Sequence, residues 1–311
     1  MKNTPIGDHE AEDLRRFVER VLRDVGNPEP PLDLRIIREA LRLDLQFFSL
    51  EDPSLLQRAA HKFRVGTKQV IARPRLIIDA VRKANISGIF EPDEKRILID
   101  SDAPVLKHRW IEAHEIGHSL APWHQRFMFG DNDETLQASC HDALEREANF
   151  AAGQLTFLQG RFVEEACDSA VSLKLVRALA SAFGNTITST LWRFVEEAHK
   201  DEPLVGVVQR KAEPKPGVPR EYCIESPAFR ERFGVLDEAS LLGAVMQHRS
   251  PYRKLGDVGE GSVTLVDGNG QHHAFHFESW ANKYYTLSLG RYLRPVQPSI
   301  VVPPGSTGTD G

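Results

Sequence analysis

Positive charge is not in excess in this chain of 311 residues: 39 Lys and Arg against 44 Asp and Glu give a formal net charge of -5. A protein with that balance has no global basic surface to draw it to nucleic acid. Cysteine is also scarce. Cys140, Cys167 and Cys223 are an odd number at wide, irregular spacing, which argues against a disulfide framework and a Cys-based zinc site and reads as reduced thiols. No apolar run approaches the roughly 18 residues needed to span a bilayer. The opening "MKNTPIGDHEAEDLRRF" lacks the apolar core of a signal peptide. The expected location is therefore the cytoplasm, with no membrane partner. What is present, 41% hydrophobic and 27% charged residues, is globular composition, and the length allows one large domain or two ordinary ones.

Periodicity orders the chain. Residues 9 to 25 and about 32 to 43 read as amphipathic helices, the second carrying Leu34, Ile37 and Leu41 at helical spacing. "LDLQFFSL" reads as a short strand, and "PSLLQRAAHKFRV" and "RPRLIIDAVRKA" as helices opening at Pro53 and Pro74. "ISGIF" and "KRILID" are β-rich runs joined by the polar "EPDE", the pattern of a hairpin. The next helix has Asp102 as its expected cap, Pro104 in its first turn, and a buried stripe of Leu106, Trp110, Ala113, Gly117 and Leu120 running to a stop at Pro122. "HDALEREANFAAGQL", "VSLKLVRALASAF" and "TSTLWRFVEEAHK" continue a helical half. Pro203, Pro214, Pro216 and Pro219 then mark a linker. Beyond it, "SVTLV", "HAFHF" and "YYTLSL" are strand-like, with "DGNG" as a hairpin turn, and "VVPPGSTGTDG" reads as a disordered tail.

The chemistry is concentrated in "AHEIGHSL", Ala113 to Leu120. Residues i and i+4 of a helix share a face, so His114 and His118 can direct two imidazoles at one ion. Glu115 lies about 100° around the helix from His114. That offset suits a base that acts on a water without ligating the metal, as in an H-E-x-x-H zinc peptidase. The bland alternative is a solvated helix face with two histidines on it.

A catalytic zinc site needs a third ligand, and two residues compete for the role. Glu145 lies in "LEREANFAA" on a helix with a Leu144, Ala148, Ala151, Leu155 stripe, whose small residues permit close packing near Gly117. Asn149, one turn further on, could orient Glu145 or a ligand histidine. His124 completes the H-E-x-x-H-x-x-G-x-x-H spacing of metzincins, but Ala121 stands where their glycine makes the turn, and it precedes Pro122. Glu145 is the favoured ligand, and His124 is read as a rim histidine.

With "RWIEAHEIGHSL" followed 27 positions beyond His118 (145 minus 118) by "EREANFAA", the chain resembles the ImmA/IrrE family of bacterial metallopeptidases over roughly residues 30 to 200. His114, Glu115 and His118 match the family's first motif, and Glu145 and Asn149 its second. "SGIFEPDEKRILIDSD" is similar to the family's strand pair, and "LVRALASAFGNTITSTLWRFVEEA" to its helix-turn-helix-like segment. "GQLTFLQG" departs from the L-L-M-P-like run of many members, which bears on the shape of the cleft.

The resemblance implies a Zn2+-dependent endopeptidase whose protein substrate is a DNA-binding repressor, so that cleavage releases stress-response or mobile-element genes. The expected fold is α+β: a zincin-like metallopeptidase core, mostly helical with a small sheet, plus a smaller β-rich α+β C-terminal domain. The expected division is an N-terminal helix in 1–30, the metallopeptidase domain in 31–203, a linker in 204–220, a C-terminal sensory or interaction domain in 221–300, and the tail 301–311. His141, Arg193 and Tyr222 are candidate stabilisers of a transition-state oxyanion. "GNTITSTLWRF" carries few cations, which disfavours direct DNA binding. In "QHHAFHF", His272 and His276 fall on one side of a strand and His273 on the other, too few for a second metal site. A regulatory binding module with a structural or vestigial zinc is the alternative, and Glu115 argues against it because a structural site needs no base.

Overall fold

The computed structural model describes residues 6–49, 87–124, 138–211, 220–234, 238–250 and 252–296. The helices expected from "PSLLQRAAHKFRV" and "RPRLIIDAVRKA", and the tail 301–311, lie outside these residues. The fold is α+β, and it divides into two compact units: residues 2–162 with 182–184, and residues 163–181 with 185–311.

The first unit opens with α1 (Asp8–Asp24), which buries Ala11, Leu14, Val18, Val21 and Leu22 at steps of three and four. Helix α2 (Leu34–Leu41) starts at Asp33, whose carboxylate accepts the Arg35 N–H at 2.9 Å. A three-stranded sheet follows in the order β1-β3-β2, built from β1 (Asp44–Phe48), β2 (Gly88–Glu91) and β3 (Arg96–Asp100). The β2–β3 hairpin is antiparallel with Phe90 opposite Ile97, and β1 runs parallel to β3 with Leu45 opposite Ile97. Ile97, Leu98 and Ile99 are all buried. An unbroken apolar run therefore makes the central strand, covered on both faces. At the turn end of the hairpin, Arg96 forms a 2.7 Å ion pair with the buried Glu91 on the opposite strand.

Helix α3 (Val105–Leu120) carries the H-E-x-x-H motif, and α4 (Ala138–Thr156) carries Glu145. Asp102 does not cap α3. The N-cap is Pro104, with no side-chain cap bond. The carboxylate used at this turn is that of Asp100, which accepts the Asp102 N–H at 2.9 Å. Nor is Trp110 buried: it is 40% exposed, and Ile111 and Ile116 join the expected Ala113 and Leu120 in the core. The stop is where the sequence places it, with Ala121 extended before Pro122 at φ -94 and ψ 105.

In the second unit, α5 (Gly160–Cys167) crosses from one unit to the other. Next come α6 (Leu173–Ala182) and α7 (Ile187–Arg193), the latter widening into a π-helical turn over Phe194–Ala198. The remaining elements are β4 (Leu204–Arg210), β5 (Glu221–Glu225), α8 (Pro227–Phe233), α9 (Glu238–Gln247), β6 (Gly256–Val266), β7 (His272–Ala281) and β8 (Tyr285–Val296). They form an antiparallel sheet in the order β5-β4-β8-β7-β6. On one face Val205, Val207, Phe275 and Phe277 meet Phe229, Phe233, Leu241 and Val245 of α8 and α9. On the other lie α6 and α7: Leu173 N–H donates to Glu278 at 2.9 Å, and Arg177 stands 4.7 Å over the Trp280 ring.

This arrangement corrects the expected linker and the boundary at residue 203. Leu204–Arg210 is a strand, hydrogen-bonded on both sides, because "LVGVV" is an apolar run buried on two faces. Residues 163–181 and 185–203 belong with the sheet rather than with the motif helix. Gly206 shows why: a Cβ there would meet Leu191 at 3.3 Å, so α7 lies directly on β4. The prolines at 214, 216 and 219 fall outside the described residues.

Candidate metal centre

Gly117 sets the spacing of the centre. A Cβ at this position would lie 2.6 Å from the Ala148 carbonyl oxygen, so α3 and α4 approach as closely as glycine permits. Ala148 is fully buried there, and Ala151 and Ala152 further along α4 are fully buried as well. Close packing carries Glu145, one turn before Asn149, to the two motif histidines. His114 Nε2 and His118 Nε2 are 3.2 Å apart, and they lie 3.1 and 3.5 Å from the two oxygens of Glu145. The three donor atoms lie within 4.8 Å of one another, and this is the one group of potential ligands identified among the described residues.

These separations suit a metal. Four donors at about 2.0–2.1 Å around zinc in a tetrahedron are about 3.3–3.4 Å from each other. The donor set, two imidazoles and a carboxylate, is one zinc accepts. Charge points the same way. Burial opposes a proton on His114, but the Glu145 carboxylate, Glu115 and Asn149 outweigh it and raise its pKa. For His118, burial dominates, and the neighbouring His114 and His124 add to it, pushing the pKa down to about 4. Burial would raise Glu145, but hydrogen bonds to both histidines hold it well below the ordinary carboxylate range. A proton can satisfy only one edge of this triangle; a divalent cation satisfies all three corners.

The ring nitrogens turned away from the triangle have partners. His114 Nδ1 meets Asn149 Oδ1 at 3.1 Å, so it is the donor and Nε2 keeps a lone pair for an ion. Asn149 is thus hydrogen-bonded to His114, one of the two groups it could orient. His118 Nδ1 meets His124 Nδ1 at 2.9 Å. His124 is not a rim histidine: it is completely buried and its Nε2 lies 2.9 Å from Glu147 Oε2. Its ring is committed to His118 and Glu147, and it is not in the ligand triangle.

Glu115 is 5% exposed and turns toward β2, where the Phe90 backbone N–H donates to its carboxylate. A Cβ at Gly88 would sit 2.5 Å from Glu115 Oε1, so the strand leaves room for this carboxylate through a missing side chain. Burial pushes the Glu115 carboxyl up to about 7; His114 pulls against this, Glu145 adds to the rise, and Phe90 opposes it.

The oxyanion candidates are less informative. His141 lies on α4, and its side chain is outside those described. Arg193 and Tyr222 belong to the second unit. There Arg193 pairs with Glu197 at 2.7 Å, and the Tyr222 ring packs 5.9 Å from that of Trp192. Sequence reasoning passed over three contributors: Gly88, Glu147 and the inward role of His124. Glu147 had a signal, since it lies two residues from Glu145 and next to the buried Ala148.

No protein-family model matches the chain, and no curated protein matches it. Among solved structures, a Mycobacterium tuberculosis transcriptional regulator is similar with a TM-score of 0.49 and 13% identity, covering 90% of this chain and 88% of that one. A likeness of that size carries no argument about activity.

No helix of the described residues is long and apolar enough to cross a membrane.

Proposed function

We propose that this chain is a zinc-dependent endopeptidase of the ImmA/IrrE kind, with a zincin-like first unit. It would act in the cytoplasm on a DNA-binding repressor. The observation that carries the reading is Glu115, a buried carboxylate beside the ligand triangle but not part of it. A structural metal site has no use for such a group, and burying it costs stability.

Zinc held by His114, His118 and Glu145 would supply Lewis acidity toward a water and toward the scissile carbonyl. Glu115 takes the proton that the attacking water gives up and returns it to the leaving amine. The Phe90 N–H and the space at Gly88 keep its carboxylate in place. Asn149 fixes the tautomer of His114, so that Nε2 faces the ion. Three protein ligands, rather than four, is the count of a catalytic zinc site, which keeps one position for water.

The substrate class rests on the family resemblance alone, as does a signal-receiving role for the second unit. The test is co-expression with a candidate repressor. Wild type should cut it, and Glu115→Gln should leave it intact while still binding zinc. A Glu115→Gln protein that cuts at the wild-type rate overturns the mechanism.

A further inference from the structure

Behind the ligand triangle runs a chain of hydrogen bonds that the proposed chemistry does not use. The Trp123 indole Nε1–H donates to Glu147 Oε2 at 2.6 Å. His124 Nε2 reaches the same oxygen at 2.9 Å, and His124 Nδ1 reaches His118 Nδ1 at 2.9 Å. His124 is fully buried and Glu147 nearly so.

The direction of every proton follows from the two ends. An indole nitrogen can only donate, so Glu147 accepts from Trp123. A carboxylate can only accept, so His124 Nε2 carries the proton shared with Glu147. A neutral His124 then presents the lone pair of Nδ1 to His118. His118 must donate from its own Nδ1, and its Nε2 is left bare, 3.5 Å from Glu145 and 3.2 Å from His114 Nε2. With both rings neutral, a proton on His118 Nε2 would instead leave two lone pairs facing each other at 2.9 Å.

We infer that Trp123, Glu147 and His124 form a positioning relay that locks His118 in the tautomer and orientation a metal ligand requires. The inference rests on reading the triangle as a metal centre. The geometry gives the two ligand histidines separate supports: Asn149 for His114, and the buried relay for His118. His124 occupies the position where the metzincin spacing would place a third ligand, and here it acts one shell further out. The helical conformation that begins at Pro122 makes this possible, with His124 N–H donating to Ala121 O at 3.0 Å. The turn brings the imidazole back beneath His118.

The test is zinc affinity of the full chain, measured by competition with a chromophoric chelator, together with the ligand-field absorption of the Co2+-substituted protein. His124→Leu keeps an apolar, buried side chain but removes both hydrogen bonds. It should bind zinc about 10- to 100-fold more weakly, the usual cost of losing a ligand's outer partner. His124→Asn places a carboxamide oxygen near the position of Nδ1 and can still accept from His118. It should recover most of that loss and restore a wild-type Co2+ spectrum.

A purely structural role predicts the reverse order, because leucine suits a dry site better than asparagine. If His124→Leu does not fold, Glu147→Gln decides. It keeps an acceptor but loses the charge, and about a tenfold loss is expected. Wild-type affinity in Glu147→Gln, or in a folded His124→Leu, overturns the relay while leaving the metal centre standing. A wild-type chain that binds no zinc overturns both.

Discussion

Replacing Gly117 by alanine tests whether the spacing of two helices sets the metal centre. The added methyl would lie 2.6 Å from the Ala148 carbonyl oxygen, against about 3.4 Å for ordinary contact, so the helices must part locally by about 0.8 Å (3.4 minus 2.6). The obstacle is backbone, which cannot rotate away as a side chain can. Two effects on stability oppose each other. Alanine gains about 1 kcal/mol over glycine inside a helix, while overpacking a close contact costs about 1–3 kcal/mol. The net is a loss of about 0–2 kcal/mol, which is within the usual margin of a folded domain.

The site tolerates much less. Metal–ligand distances hold within about 0.2 Å, and His118, adjacent to Gly117, must still meet Glu145, three residues before Ala148. Zinc affinity should therefore fall by about tenfold or more while the chain remains folded. Circular dichroism with chelator competition separates the two quantities. Gly117→Ala binding zinc at wild-type affinity would refute the argument that this helix contact places Glu145.

Gly88→Ala should leave zinc stoichiometry unchanged but lower kcat, because its methyl would lie 2.5 Å from Glu115 Oε1 and displace the proposed base; unchanged kcat on a cleaved substrate would show that Glu115 has room to spare. Asp267 predicts an acid dependence in the second unit. Its carboxylate accepts from His273 at 3.0 Å and from the Asn269 and Gln271 N–H groups at 2.9 Å, which depress its pKa. A depressed carboxyl contributes stability above its unfolded pKa of about 3.9, and that stability is lost as pH falls through the lower folded value. Asp267→Asn should therefore lower Tm near neutral pH, and the difference from wild type should shrink below about pH 4. A gap that widens with acid would contradict the assignment.

Much of the site was legible because local pattern carries it. The β-rich runs "ISGIF" and "KRILID" on either side of the polar "EPDE" mark the hairpin, and the four-residue step from His114 to His118 marks a shared helix face. Small residues in "EANFAAG" foretold a helix able to come close, and Gly117 against Ala148 is that contact. His124 reads as a rim residue because Ala121–Pro122 signals a helix end, and the sequence does not say that the chain then turns its imidazole toward His118. Trp110 reads as buried because a stripe of apolar residue types passes through it, whereas the buried face passes through Ile111 and includes the polar Glu115 and His118. Strand β4 was hidden by the prolines near it, which outweighed the buried run "LVGVV". Gly88 carries no sequence signal of its function, since its partner Glu115 is distant in the chain.

Elemental analysis of the purified chain, with zinc affinity measured in parallel, tests the central claim most directly. One zinc per chain is expected in wild type and in Glu115→Gln, and its loss is expected in His114→Ala, His118→Ala and Glu145→Ala. A wild-type chain without stoichiometric zinc, or Glu145→Ala holding it at wild-type affinity, would contradict the account.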